Sequence, residues 1–140
     1  MNAALLCSSS RVAGPGCRFH GNWTIPPPED STTRPSFYDL RALAAERARA
    51  GLRYQEFLRV PALSAGIYVL PSGAKDMQTP HKEDELYYVV SGRARMRVRA
   101  EEREVGPGSL IFVEAEAEHG FFDISEQLEV LVFFAPAESR

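Results

Sequence analysis

The sequence predicts an all-β domain, a barrel or a sandwich, with one short helix in front of it, and three observations carry that prediction. From Leu52 onward the apolar residues recur with a period of two. Turn residues break this pattern at short intervals, at Pro61, Pro71-Ser72-Gly73, Ser91-Gly92 and Gly106-Pro107-Gly108. Helical spacing occurs only between residues 36 and 51. Many short strands at close spacing argue for an all-β fold, and 140 residues, 44% of them hydrophobic and 25% charged, suit one domain with a real core.

Residues 1–35 show neither period and are rich in Ser, Gly, Pro and Thr, as in CSSSRVAGPGC and IPPPEDSTTRP. They are expected to form a disordered or loosely docked extension, with Trp23 and Ile25 as the anchors if it docks. Both cysteines, Cys7 and Cys17, fall here, where there is no disulfide-dense domain to staple, and they read as incidental.

Residues 36–51 read as the helix. Ser36 followed by Asp39 is a capping-box variant, Leu40, Leu43 and Ala44 follow at helical spacing, and Gly51 closes it. Its expected role is to pack on the β domain through Phe37, Leu40 and Leu43.

Residues 52–140 supply the strands. LRYQEFLRV ends at Pro61, SAGIYVL at Pro71 and ELYYVV at Ser91-Gly92. RARMRVR alternates strictly, with Ala94, Met96 and Val98 on one face and Arg93, Arg95, Arg97 and Arg99 on the other. A short return strand is expected around Glu104-Val105, followed by SLIFV, HGFFDI and LEVLVFF. The last of these is apolar on both faces, so a second layer must cover it, either the helix or another subunit. A homodimer is the expected assembly.

Charge and hydropathy exclude several partners. A net charge of −3 and a sequence pI near 5.6 leave no basic excess for a phosphate backbone or an anionic membrane. The four arginines face Glu101, Glu102 and Glu104 across the next turn, and cross-strand ion pairs account for them. AALLC near the start is too short for a secretory signal, and no run approaches a membrane span. The expected setting is soluble and cytoplasmic.

His20 lies in the extension, which leaves His81 and His119 for the domain. Strand alternation would put Met77, Thr79 and His81 on one face, Glu85, Tyr87 and Val89 on another, and Ala117, His119 and Phe121 on a third. Taken singly, a histidine on an apolar strand is more often a satisfied core or edge residue than a ligand. Two imidazoles with one carboxylate, however, form a three-ligand set that leaves positions open on a divalent transition ion such as Fe, Mn, Zn or Ni. His81, Glu85 and His119 are therefore the candidate ligands. Pro80 and the LYYVV run argue against a helix carrying the His81–Glu85 step. No Ser/His/Asp arrangement, phosphate-binding glycine loop or dinucleotide fingerprint accompanies them.

These spacings resemble the two motifs of the cupin superfamily. The first motif reads G, five residues, H-x-H, three or four residues, E, six residues, G. The chain has Gly73, Thr79-Pro80-His81, Glu85 and Gly92 at those intervals. The second reads G, five residues, P-x-G, two residues, H, three residues, N, and the chain has Gly108, Glu114-Ala115-Glu116, His119 and Asp123. Fifteen residues separate Gly92 from Gly108. The resemblance covers roughly residues 52–136 and implies a double-stranded β-helix, or jelly-roll, barrel.

Its departures are specific. Thr79 replaces the first histidine, so a four-ligand set becomes three, and Gln78 beside it is a further candidate ligand if the strand is rotated there. Glu83 could reach a metal or a substrate, although a solvated acidic turn suits it better. Glu114 and Glu116 replace Pro and Gly beside His119, which reads first as a surface loop and second as an acid or base at the mouth. Tyr54, Tyr68, Tyr87, Tyr88, Phe121 and Phe122 are candidates to line a pocket, and Tyr87, Phe121 and Thr79 are the expected substrate contacts. The resemblance implies oxygenase- or isomerase-type chemistry on a small organic substrate, with a non-catalytic metal- or small-molecule-binding protein as the alternative.

Overall fold

The computed structural model describes residues 36–139, so the expectations for residues 1–35, including Cys7, Cys17, His20 and Trp23, lie outside the described residues. The elements are one helix, α1 (Leu40–Arg49), and six strands: β1 (Tyr54–Val60), β2 (Leu63–Leu70), β3 (Asp84–Val98), β4 (Glu101–Val105), β5 (Leu110–Val113) and β6 (His119–Ala135). All pairings are antiparallel, in the order β1-β2-β6-β3-β4, with β5 also on β3. No helix among the described residues is long and apolar enough to cross a membrane.

The helix starts later than its sequence suggests. Asp39, not Ser36, is the N-cap: its Oδ1 accepts the Ala42 N–H at 2.8 Å. Gly51, with φ of +65°, follows the C-cap, as expected of a helix end. The helix packs against β1 and β2 with Leu40 and Leu43 half-buried. Phe37 lies ahead of the first turn and is 95% exposed, so it does not join that contact. Tyr38 does, with its ring 5.1 Å from that of Phe57 on β1.

Ser91-Gly92 does not end a strand, and HGFFDI and LEVLVFF are not two strands. β3 runs through Gly92 for 15 residues and β6 runs through Asp123 for 17. The reason is a local slip in each. In β3 the buried positions change from odd (Tyr87, Val89) to even (Ala94, Met96), and in β6 from odd (Phe121) to even (Ile124, Leu128, Val130). Gly92 (φ +90°) and Asp123 (φ +47°) adopt the left-handed backbone at the two slips. A Cβ at Gly92 would lie 2.1 Å from the Gln127 carbonyl oxygen, so only glycine lets β6 cross this closely. Both long strands therefore keep one face on a single core of Leu70, Tyr87, Val89, Met96, Val105, Val113, Phe121 and the even positions of β6.

The outer face is uneven. Arg95 and Arg97 both reach Glu102, at 3.2 and 2.5 Å, and both guanidinium groups stack over Phe122. Arg99 reaches Glu114 instead, at 2.6 Å. Farther along, Leu86 pairs with Phe133 and Phe112, and Tyr88 with Leu131 and Leu110. These residues form an apolar strip in which Leu110 and Phe112 are 66% and 62% exposed. The helix lies over β1 and β2, not over this strip.

Candidate metal centre

His81, Glu85 and His119 come together from three pieces of chain. Glu85 is the second residue of β3, His119 the first of β6, and His81 lies on the loop ahead of β3. The pairing of β3 with β6 fixes the separation of Glu85 and His119, and a bond from the Glu116 N–H to the His81 carbonyl oxygen, 2.7 Å, ties the loop to the turn before β6. Glu85 is 1% exposed. His119 Nε2 lies 2.9 Å from its Oε2, and His81 Nε2 lies 3.3 Å from its Oε1. One ligand atom from each of the three residues falls within 4.8 Å of the others, so this group can hold a metal ion.

The protons say more than the distances. His119 Nδ1 is 2.8 Å from the Ala117 carbonyl oxygen, which can only accept, so Nδ1 carries the hydrogen. A neutral ring then turns a lone pair on Nε2 toward a carboxylate. Two acceptors at 2.9 Å require a positive charge between them, either a proton or a metal ion. Burial lowers the His119 pKa, but the hydrogen bond to Glu85, the Ala117 carbonyl and the charges of Glu85 and Asp76 outweigh it and hold the pKa above the usual imidazole value. His81 Nε2 and Glu85 Oε1 are both buried without a hydrogen-bond partner. Buried nitrogen and oxygen atoms left unsatisfied 3.3 Å apart are of the types that a borderline divalent ion prefers, and this donor set fits one.

Tyr87 and Phe121 are where alternation places them. Tyr87 is fully buried, its hydroxyl 2.8 Å from Gln78 Oε1 and 3.2 Å from both Glu85 Oε2 and His119 Nε2. Burial first, then the neighbouring Glu85 and Asp76 charges, push its pKa well up, so it stays a neutral phenol. Phe121 meets it edge-on at 5.3 Å.

The segment before His81 is a loop, not a strand, and this reverses its faces. Met77 and Thr79, expected inward, are exposed, and Thr79 only lines the rim of a depression beside His119 and Phe121. Gln78 turns inward instead. Its Oε1 is engaged by Tyr87 and its Nε2 donates to Asp76 at 2.9 Å, so it borders the ligands through Tyr87. Glu83 is not part of the ligand group: it is buried, and its Oε1 accepts from the Ser139 N–H at 2.9 Å and from the Ser139 hydroxyl. Glu114 and Glu116 are exposed, as a surface loop would have them.

Two residues at the site were missed by the sequence reading. Asp76 accepts from the Tyr68 hydroxyl, Gln78 Nε2 and the Phe121 N–H, each at 2.9 Å, and so holds the loop against β2 and β6. Glu138 places Oε1 3.5 Å from His81 Nδ1. Neither belongs to a periodic segment, and only the abundance of acids around the motifs hinted at them. Tyr54, Tyr68, Gln78, His81, Phe134 and Glu138 line a cavity of about 300 Å³ beside the centre, with Arg53 and Met77 at its edge. Burial raises the pKa of Tyr54 and of Tyr68. The Tyr54 hydroxyl is buried without a partner and its ring lies across Gly66, where a Cβ would be 2.3 Å from it.

The cupin domain family profile matches residues 66–134. An uncharacterized protein of Streptomyces coelicolor, SCO3923, is 47% identical over 102 residues, covering 73% of this chain and 97% of that one. Among solved structures, the TT1209 protein of Thermus thermophilus is 25% identical with a TM-score of 0.57, over 72% of this chain and 97% of that one. The DMSP lyase DddQ of Ruegeria pomeroyi is 20% identical with a TM-score of 0.54, over 63% of this chain and 49% of that one. The last is a likeness of fold alone.

Proposed function

The chain belongs to the cupin family, and on that premise we propose that it is a metal-dependent enzyme acting on a small organic molecule, with His81, Glu85 and His119 holding one divalent transition ion. One observation carries the proposal: a single buried carboxylate faces two imidazole nitrogens, at 2.9 and 3.3 Å, and the hydrogen on His119 Nδ1 leaves the nearer of these a lone pair. Fe, Mn, Zn and Ni all suit this donor set. Such an ion would polarise a substrate oxygen or activate dioxygen, which is oxygenase- or isomerase-type chemistry.

The remaining residues take roles around it. The 300 Å³ cavity bordered by Tyr54, Gln78 and His81 suits a small substrate, with Val132 and Phe134 as its apolar wall. The unpartnered Tyr54 hydroxyl is a donor waiting for a substrate oxygen. Tyr87 reaches Glu85 and His119 through its hydroxyl, with Phe121 packed against its ring, while Thr79 borders a second depression.

The test is metal content followed by turnover. Untagged protein purified without added metal is expected to carry a stoichiometric transition ion that His81→Ala lacks, and oxygen uptake with small carbonyl and phenolic compounds separates oxygenase from isomerase chemistry. Protein that neither carries nor takes up metal refutes the proposal. Retained metal without turnover on any compound gives the non-catalytic binding role instead. With both cysteines ahead of residue 36, a reducing compartment such as the cytoplasm is the proposed setting.

We also infer that a second copy covers the strip of Leu86, Tyr88, Leu110, Phe112, Leu131 and Phe133. The strip carries no charge, so two chains of net charge −3 can meet there without opposing like charges. Light scattering should give a dimer for the wild type and a monomer for Phe112→Lys. A monomeric wild type refutes it.

A further inference from the structure

We propose that Glu138 is a positioning residue of the centre: its carboxylate accepts the Nδ1 hydrogen of His81 and so fixes the tautomer that aims Nε2 at the ion. The inference rests on the metal reading above.

The two histidines are supported differently. His119 begins a sheet strand and has the Ala117 carbonyl oxygen on its Nδ1. His81 sits on a loop, without a ladder to set its ring, and the acceptor beside its Nδ1 is Glu138 Oε1, at 3.5 Å. Glu85 lies on the opposite edge of the ring, at Nε2. Glu138 is also absent from the group whose ligand atoms lie within 4.8 Å of one another. Its access to an ion therefore runs through the imidazole, the arrangement in which an outer carboxylate orients a ligating histidine and raises its basicity.

The segment after β6 is held as this role requires. Beyond β6, the Ala137 N–H donates to the Pro61 carbonyl oxygen at 3.2 Å and the Glu138 N–H to Ser64 Oγ at 3.0 Å. Arg59 Nη1 donates to the Glu138 carbonyl oxygen at 2.9 Å, and Ser139 is clasped by Glu83. Ser64 and Glu83 are two of the three buried polar residues among the described residues, and both act on this tail. The third is Glu85 itself. These ties deliver one carboxylate to the back of His81.

The test uses the full chain with Co(II) as probe, at pH 8. Glu138→Ala should bind Co(II) roughly 10- to 100-fold more weakly than wild type. Glu138→Gln, whose amide oxygen still accepts from Nδ1–H, should lie closer to wild type than to the alanine variant. In metal-free protein, ring ¹⁵N shifts should show a hydrogen on His81 Nδ1 in wild type that is lost in Glu138→Ala, where Glu85 beside Nε2 is the carboxylate left at the ring, with unchanged melting of the fold. Wild-type Co(II) affinity in Glu138→Ala, or an Nε2–H tautomer of His81 in wild type, overturns the inference. If the wild type binds no Co(II), the metal reading fails, and the ¹⁵N shifts still decide the role of Glu138.

Discussion

Replacing Glu85 with glutamine separates a metal ligand from an ordinary buried acid, because the two roles predict opposite consequences when metal is added. Without metal, the His119 pKa is held above its usual value, against burial, by the hydrogen bond to Glu85, the Ala117 carbonyl and the charges of Glu85 and Asp76. A group with a raised folded pKa stabilises the fold fully below its unfolded value, about 6.5 for imidazole, and that contribution is lost as pH rises through the folded value. Metal-free wild type should therefore lose stability from about pH 6.5 upward. Glu85→Gln, which lacks the charge that raises His119, should be flatter over the same range. With metal at a hundred times its Kd, wild type gains about 2.7 kcal/mol. For a domain of this size that is roughly 10 °C in Tm. An affinity loss of about a hundredfold in Glu85→Gln leaves about 0.4 kcal/mol at the same metal concentration, a shift of about 2 °C. Calorimetric melts of untagged, chelator-treated protein, with and without Zn(II), read both effects. Equal shifts in the two proteins, or none in wild type, would refute the reasoning.

Three further outcomes follow from particular contacts. Tyr87→Phe keeps the ring against Phe121 but leaves Gln78 Oε1 without its donor, and should cost about 1–3 kcal/mol in urea unfolding. Gly92→Ala forces a Cβ against the Gln127 carbonyl at a left-handed position, and should lower stability by at least about 2 kcal/mol in the same measurement, whereas Gly108→Ala, with open space around it, should cost less. Glu83 has its pKa lowered by the Ser139 hydroxyl and N–H, against the opposing effect of burial. A lowered folded pKa stabilises above the unfolded value, near 4.5, and that contribution disappears as pH falls through the folded one, so backbone amide exchange at Glu138 and Ser139 should accelerate on acidification below about pH 4.5, and Glu83→Gln should abolish the acid dependence. Exchange that is insensitive to pH after correction for its intrinsic rate would contradict this.

Local pattern made most of the fold legible. Apolar segments between turn residues mark most strands, β4 being expected only as a short return around Glu104-Val105, and the joint spacing of His81, Glu85 and His119 picks out the residues that the fold brings together. The slips at Gly92 and Asp123 were not legible, because a bulge is decided by the strand opposite. The glycine that resembles a turn in the sequence is there to let Gln127 pass. Thr79 and Gln78 exchanged faces for a related reason. Alternation applies only where a ladder fixes the pleat, and Asp76 holds that stretch as a loop. Glu138 reaches His81 from a segment after β6 with no period at all, through a carboxylate that composition alone reads as surface. A capping pattern can likewise begin at either of two oxygens, and Asp39 takes the role because its carboxylate reaches the Ala42 N–H.

The most direct measurement is anomalous diffraction at the absorption edge of the bound metal, on crystals of protein loaded with that ion. One peak is expected at about 2.0–2.2 Å from His81 Nε2, His119 Nε2 and a Glu85 oxygen. No peak between those side chains, or a peak elsewhere on the chain with Glu85 still hydrogen-bonded to a protonated His119, would contradict a metal centre at this site.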